Sequence, residues 1–335
     1  MTVSIAANLN ELPWPSSSDP VIMSRNFVKR FSGLPLRGEV KDPKKYWSSD
    51  YWPLKLGSIN YRWNAPEPIG FGLRSPNLEQ AKKMNLQELK YLSPSEKFDL
   101  WMGKYTYPLK TQVSKRASPQ RATWEGICHG WAAAALNFSE PGPKILINPD
   151  GIKIPFGSSD IKALLSYYYA YYYNPPSTYQ MGRRCNGRNY CTEDLNAGAF
   201  HIVLANKVGN EGSSFIVDIE NGREVWNQVV FNYTSVVMAD NLPPASNSAS
   251  GTYSVMRIKT KMKVVFNIVQ NSWMPSIGTN NQTYKEQEYD YDLDLDREGN
   301  IIGGEWISKN RPDFMWRVDP VIKFYGLFSE LRSLL

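Results

Sequence analysis

Thr123-Trp-Glu-Gly-Ile-Cys128-His-Gly-Trp-Ala-Ala-Ala-Ala-Leu136 sets a lone cysteine where a glycine-containing turn runs into a strong helix former. The four alanines and Leu136 favour a helix, and Gly126 and Gly130 loosen its approach. Cys128 is therefore expected in the first helical turn, beside unpaired backbone N–H groups and the positive end of the helix dipole. The dipole alone does not make it a nucleophile. It contributes about 0.3–2 kcal/mol, one pKa unit corresponds to about 1.36 kcal/mol, and a free thiol starts near 8.5. A second group has to assist, and the sequence holds only two histidines.

His129 follows Cys128 directly, and neighbouring helical residues do not face one another, so it is expected to pack or cap locally. His201 lies in Gly198-Ala-Phe-His-Ile-Val-Leu-Ala205, whose β-branched and aromatic content reads as a strand. Lys207–Gly212 then reads as a turn into a second strand, Ser214–Ile219, with a hairpin centred on Gly209-Asn210. That register sets His201 opposite Asp218, with Cβ atoms about 5 Å apart, as in a nucleophile–base–orienter triad. A slip of one residue would undo it. Each residue has a plainer reading too: a packed thiol, a core histidine, an aspartate capping a strand end.

The segments Trp124–Trp131, Asp160–Leu165, Asp194–His201, Glu224–Gln228 and Gly299–Trp316, in that order, resemble the transglutaminase-elicitor family. These are secreted transglutaminases of oomycetes with bacterial relatives, and the similarity runs from about residue 120 to 318. The resemblance implies a papain-like or transglutaminase-like α+β fold. A helical lobe carries the cysteine and packs on an antiparallel sheet carrying His and Asp. It implies a triad of Cys128, His201 and Asp218, with Asp218 the residue least fixed by the motifs. The activity implied is protein-glutamine γ-glutamyl transfer: Cys128 attacks a glutamine carboxamide, ammonia leaves, and a lysine or other amine resolves the thioester. The Cys128 N–H and the Trp124 indole are the expected oxyanion donors. The same triad serves a papain-like peptidase or glutamine deamidase. A third reading is an inactive cell-surface binding protein.

Five residues separate Cys185 from Cys191 in a polar loop, which points to a disulfide, an oxidising compartment and Cys128 as the odd thiol. A zinc site is the rival, but a second ligand pair is missing nearby. Asp294-x-Asp296-x-Glu298-Gly299-x5-Glu305 has calcium-loop spacing. The period-two pattern of Tyr289–Asp296 favours instead a hairpin turning at Arg297–Asn300, and no cofactor is expected.

The 335 residues carry 38 Lys and Arg against 32 Asp and Glu, without basic runs or nucleic-acid motifs, so nucleic acid is not an expected partner. Proteins or peptides bearing Gln and Lys are, including those of a cell wall or cell surface. No apolar run nears the roughly 18 residues of a membrane helix. Met1–Asn8 lacks the pattern of a secretory signal, so the secreted or periplasmic location rests on the resemblance and the cysteines.

Two parts are expected: 1–110, a Pro/Trp-rich strap and helical segment, and 111–335, the catalytic domain. Helices are read at 77–92, at 97–102 behind the Ser93–Glu96 capping box, and at 158–173. Residues 105–122 read as a basic linker, and 144–147 with 151–154 as a small hairpin. The six tyrosines between 167 and 173 read as packing between lobes. From 199 onward the chain reads as β, with strands at 199–206, 213–219, 223–238, 252–266, 284–307 and 313–318, and 321–335 closes as a helix.

Overall fold

Alternation decides the long strands. In β7 (Ser254–Phe266) and β8 (Thr283–Leu295), Ile258, Met262, Tyr289, Tyr291 and Leu293 point inward, and Lys259, Lys261, Glu286 and Glu288 point to solvent. The solvent face pairs across strands, with Arg257 bidentate on Asp292 at 2.9 and 3.0 Å and Lys261 on Glu288 at 3.1 Å. Exposed pairs like these contribute little stability but fix the register. The computed structural model describes residues 14–43, 45–64, 70–175, 178–186, 193–268 and 282–335.

The sheet is antiparallel throughout. Its order is β4 (Thr178–Gly182), β10 (Phe314–Val318), β5 (Ile216–Asp218), β6 (Asn227–Leu242), β7, β8 and β9 (Ile301–Trp306). Short β1 (Arg37–Glu39) pairs with β6 as well. A separate hairpin joins β2 (Lys144–Ile147) to β3 (Lys153–Phe156).

The helices are α1 (Leu78–Lys83), α2 (Leu86–Lys90), α3 (Pro94–Trp101), α4 (Pro108–Arg116), α5 (Cys128–Asn137), α6 (Ser158–Tyr171) and α7 (Ala197–Leu204). The 77–92 reading divides into α1 and α2, because Asn77 and Asn85 each build a capping box of their own. Helix α5 lies against α6 because Gly130 has no side chain: a Cβ there would stand 2.1 Å from the Ser166 carbonyl oxygen. Tyr167 and Tyr168 are fully buried, and Tyr168 meets Phe324 edge-on at 4.7 Å. The tyrosines thus pack the core, as the sequence suggested. Residues before and after position 110 share one hydrophobic cluster: Trp47, Trp52 and Trp63 pack with Trp131, Leu164 and Phe328.

The structure corrects four expectations. Residues 199–206 are helical: the Asn196 carboxamide caps α7 by accepting from Gly198 and Ala199 N–H, and its complete burial hides the helical period. A π-helical turn, Ala205–Asn210, continues it where a hairpin turn was expected. Within 105–122, α4 forms on a cap from elsewhere. The Asp99 carboxylate accepts from Leu109 N–H at 3.1 Å and Lys110 N–H at 3.0 Å. The C-terminus closes with two short 3-10 turns, Gly326–Phe328 and Leu331–Leu334. The calcium-like spacing lies on a strand hairpin: Asp296 accepts from Glu298 and Asn300 N–H across the turn, and Asp292 pairs with Glu305 in the β8–β9 ladder. Asp294 accepts from Ala249 N–H at 2.9 Å.

Candidate functional site

Cys128 is the first residue of α5 and 6% exposed. The turn before it is clamped by Tyr51–Leu54. Ile127 N–H donates to the Tyr51 carbonyl at 2.7 Å, Leu54 N–H to the Glu125 carbonyl at 2.9 Å, and the Tyr51 hydroxyl to the Thr123 carbonyl at 2.9 Å. Gly126 is required here, since a Cβ would stand 2.4 Å from the Tyr51 carbonyl oxygen. Trp52, inside the clamp, adopts a left-handed φ of 53°, a strained state for a large side chain.

The other wall is the start of β6. The Cys128 thiol donates to the Val225 carbonyl at 3.4 Å, and the Asn227 carboxamide Nδ2 reaches Sγ at 3.9 Å. Trp316 of β10 fixes that amide: its Nε1–H donates to Asn227 Oδ1 at 2.7 Å, which leaves Nδ2 to face the sulfur. Asn227 pairs with Asp218 in the β5–β6 ladder. Asp218 is fully buried; its Oδ1 accepts from Trp226 N–H at 2.8 Å, and its Oδ2 has no hydrogen-bond partner among the described residues. A cavity of about 120 Å³ opens beside the thiol, lined by Leu54, Trp124, Cys128, His129, Val225 and Asn227 among others.

Burial pushes the Cys128 thiol up, and the Asp218 charge adds to the rise. The Asn227 amides and the His129 backbone N–H oppose it by stabilising the thiolate. Burial also pushes the Asp218 carboxyl up to about 7. The Trp226 amide pulls it down, Asp313 and Glu220 raise it further, and Arg184 opposes them. A buried thiol thus stands in the field of a carboxyl that burial raises to about 7.

The expected triad is only partly gathered. Asp218 faces Asn227 across its ladder, not His201, and its charge acts directly on Cys128. His201 is buried on α7, whose Phe200 and Ile202 belong with Tyr291 to a second hydrophobic cluster. Its Nδ1 is 2.7 Å from the Tyr291 hydroxyl, its ring stacks on Phe31 at 5.8 Å, and its Nε2 has no hydrogen-bond partner among the described residues. Burial lowers His201 to about 4. Among the described residues it makes no hydrogen bond or ion pair with Cys128 or Asp218. The misplacement follows from reading α7 as a strand: on a helix His201 cannot stand in a ladder with Asp218.

His129 turns its edge to Tyr171, with ring centroids 6.4 Å apart, and also lines the cavity. Burial lowers its pKa, and a hydrogen bond to the Ala170 backbone opposes this. Trp124 lines the cavity too, with the Arg184 guanidinium 5.9 Å from its ring centroid. Cys185 is buried, and its N–H donates to Asp313 Oδ2 at 2.8 Å; Cys191 lies outside the described residues. Asn227, Trp316 and Tyr51 were not singled out from the sequence. Asn227 and Trp316 lie in stretches that carry the family resemblance, where an amide and an indole proclaim no chemistry by themselves.

In its overall fold the chain is similar to the crystal structure of the GP42 transglutaminase from Phytophthora sojae, with a TM-score of 0.71 and 23% identity. The similarity covers 96% of this chain and 97% of that one, and at this identity it shows the fold. No curated protein matches the chain. Residues 110–321 match the transglutaminase elicitor family. With a mixed helical and antiparallel-sheet fold like that of GP42, the chain belongs to the transglutaminase elicitor family.

Proposed function

We propose that the protein is a cysteine acyltransferase that joins protein glutamine side chains to amines, with Cys128 as nucleophile and Asp218 as its base. The observation that carries this reading is Cys128 at a helix N-terminus and against Asn227, whose ladder partner Asp218 acts on the thiol through its charge. Burial raises the Cys128 thiol above its ordinary range and brings the Asp218 carboxyl up to about 7, so the carboxyl gives up its proton before the thiol does. The resting thiol is therefore neutral, and its proton moves to Asp218 as sulfur attacks the carboxamide carbon. The Cys128 N–H and the Asn227 Nδ2–H hold the oxyanion, a role supported by the approach of Nδ2 to Sγ at 3.9 Å. Trp124 remains a third donor in the proposal. The leaving nitrogen takes the proton back from Asp218 and departs as ammonia, and His129 at the cavity wall is a second proton carrier. An amine then resolves the thioester.

His201 takes no step in this chemistry; its role is to pack α7 on β8 through Tyr291. The Cys185–Cys191 bridge, an extracellular location and protein substrates belong to the same reading. Each step in this proposal uses a group of the chain itself, so a chelator should leave the rate unchanged. Incubation with a glutamine peptide and a fluorescent amine is the test. Label on the peptide is the expected result. Conversion to glutamate alone indicates a deamidase, and a cut backbone a peptidase. A Cys128→Ala variant that keeps full function leaves only a binding protein.

A further inference from the structure

Beside Cys128, on the Val225 side, the chain turns through Glu220–Glu224 before β6 begins. Trp226 ties this turn to the site at two points. Its backbone N–H donates to Asp218 Oδ1 at 2.8 Å, and its indole Nε1–H donates to Glu224 Oε2 at 2.8 Å. The Tyr51 ring meets the Trp226 ring at 63°, with centroids 5.4 Å apart. Glu224, Trp226 and Tyr51 are each only half-buried, so this corner meets solvent. The Glu224 charge acts on the Tyr51 phenol, which burial, Asp50 and Glu224 all push up, and on Glu220, which burial and Glu224 push up. Two angled aromatic rings beside a fixed, half-buried carboxylate, next in the chain to Val225 of the cavity wall, match what an alkylammonium group needs: cation–π attraction and one ionic partner. The indole hydrogen bond holds the carboxylate in place before any ligand arrives, which limits the entropy lost on binding.

We infer that Glu224, with the faces of Trp226 and Tyr51, forms the subsite that receives the cationic acyl acceptor, a lysine-type primary ammonium. The inference rests on the acyltransferase reading above. In the resolving step the ammonium gives one proton to the Asp218 carboxylate. The freed amine nitrogen bonds to the thioester carbon and the C–S bond breaks. Sulfur leaves with the electron pair and takes the second nitrogen proton, so that an amide, a neutral thiol and a protonated Asp218 remain. Trp226 connects the carboxylate that holds the cation to the one that deprotonates it.

The test compares cadaverine, a cation at neutral pH, with hydroxylamine, which is neutral there, as acceptors for one glutamine peptide. The readout is the ratio of their kcat/KM values. Glu224→Gln keeps an acceptor oxygen for the indole but removes the charge, and the cadaverine-to-hydroxylamine ratio is expected to fall about tenfold. Glu224→Asp, which retains the charge, should keep the ratio within about threefold of wild type. An unchanged ratio in Glu224→Gln, or one lowered equally in both variants, overturns the subsite. A wild-type protein that makes no hydroxamate from the glutamine peptide instead overturns the acyltransferase reading, and the subsite with it.

Discussion

Asp218 and Asn227 face each other across the β5–β6 ladder, and the Asn227 carboxamide stands 3.9 Å from the Cys128 sulfur. Because Trp316 holds the amide oxygen at 2.7 Å, the amide nitrogen has one orientation available toward the sulfur. Replacing Asn227 by Ala removes an oxyanion donor, and kcat should fall about 100- to 1000-fold with little change in KM. Trp316→Phe leaves the donor but frees its rotation, so a smaller loss of about tenfold is expected. Steady-state kinetics on the two variants checks the order.

The activity should rise with pH through about 7, where the Asp218 carboxyl ionises. Asp218→Asn removes this acid limb and lowers kcat/KM by about 100- to 10,000-fold. The same change should stabilise the fold. The folded carboxyl titrates at about 7, while an unfolded one titrates near 3.9. Protonation therefore favours the folded state, and that stability is present at low pH and lost as pH rises through 7. At pH 8 Asp218→Asn is expected to gain about 1–3 kcal/mol, and at pH 4 almost nothing. Denaturant unfolding at both pH values measures the difference.

His201 carries the opposite linkage. Its folded value of about 4 lies below the unfolded value near 6.5. Its contribution is thus intact above about 6.5 and disappears as pH falls toward 4. His201→Gln should flatten the loss of stability across that window, cost about 1–2 kcal/mol at pH 8 through the Tyr291 hydrogen bond, and leave kcat/KM within about threefold.

Gly130→Ala tests the contact that seats the nucleophile helix. The new Cβ would lie 2.1 Å from Ser166 O and 2.8 Å from Ala170 Cβ, so α5 must move off α6. A loss of about 2–4 kcal/mol is expected in thermal or denaturant unfolding.

Much of this architecture was legible along the chain. Alternation marked β7, β8 and the turn at Arg297–Asn300, the Ser93 capping box marked α3, and the alanine run marked the helix that Cys128 opens. What failed were elements whose cause lies elsewhere in the fold. The cap of α4 comes from Asp99 on α3. Helix α7 is buried on every side, so neither period shows, and its β-branched residues misled. The strand reading of α7 is what set His201 opposite Asp218, whose ladder partner is Asn227. The groups that do meet Cys128 there, Val225 and Asn227, are made relevant only by the strand pairing.

The most direct trial is hydroxamate formation from a glutamine peptide and hydroxylamine at pH 8, measured for wild type, Cys128→Ala, Asp218→Asn and His201→Gln. Wild type and His201→Gln should form product at similar rates, Asp218→Asn at least about 100-fold more slowly, and Cys128→Ala not at all. Full activity in Asp218→Asn together with its loss in a folded His201→Gln would contradict the Cys128–Asp218 assignment.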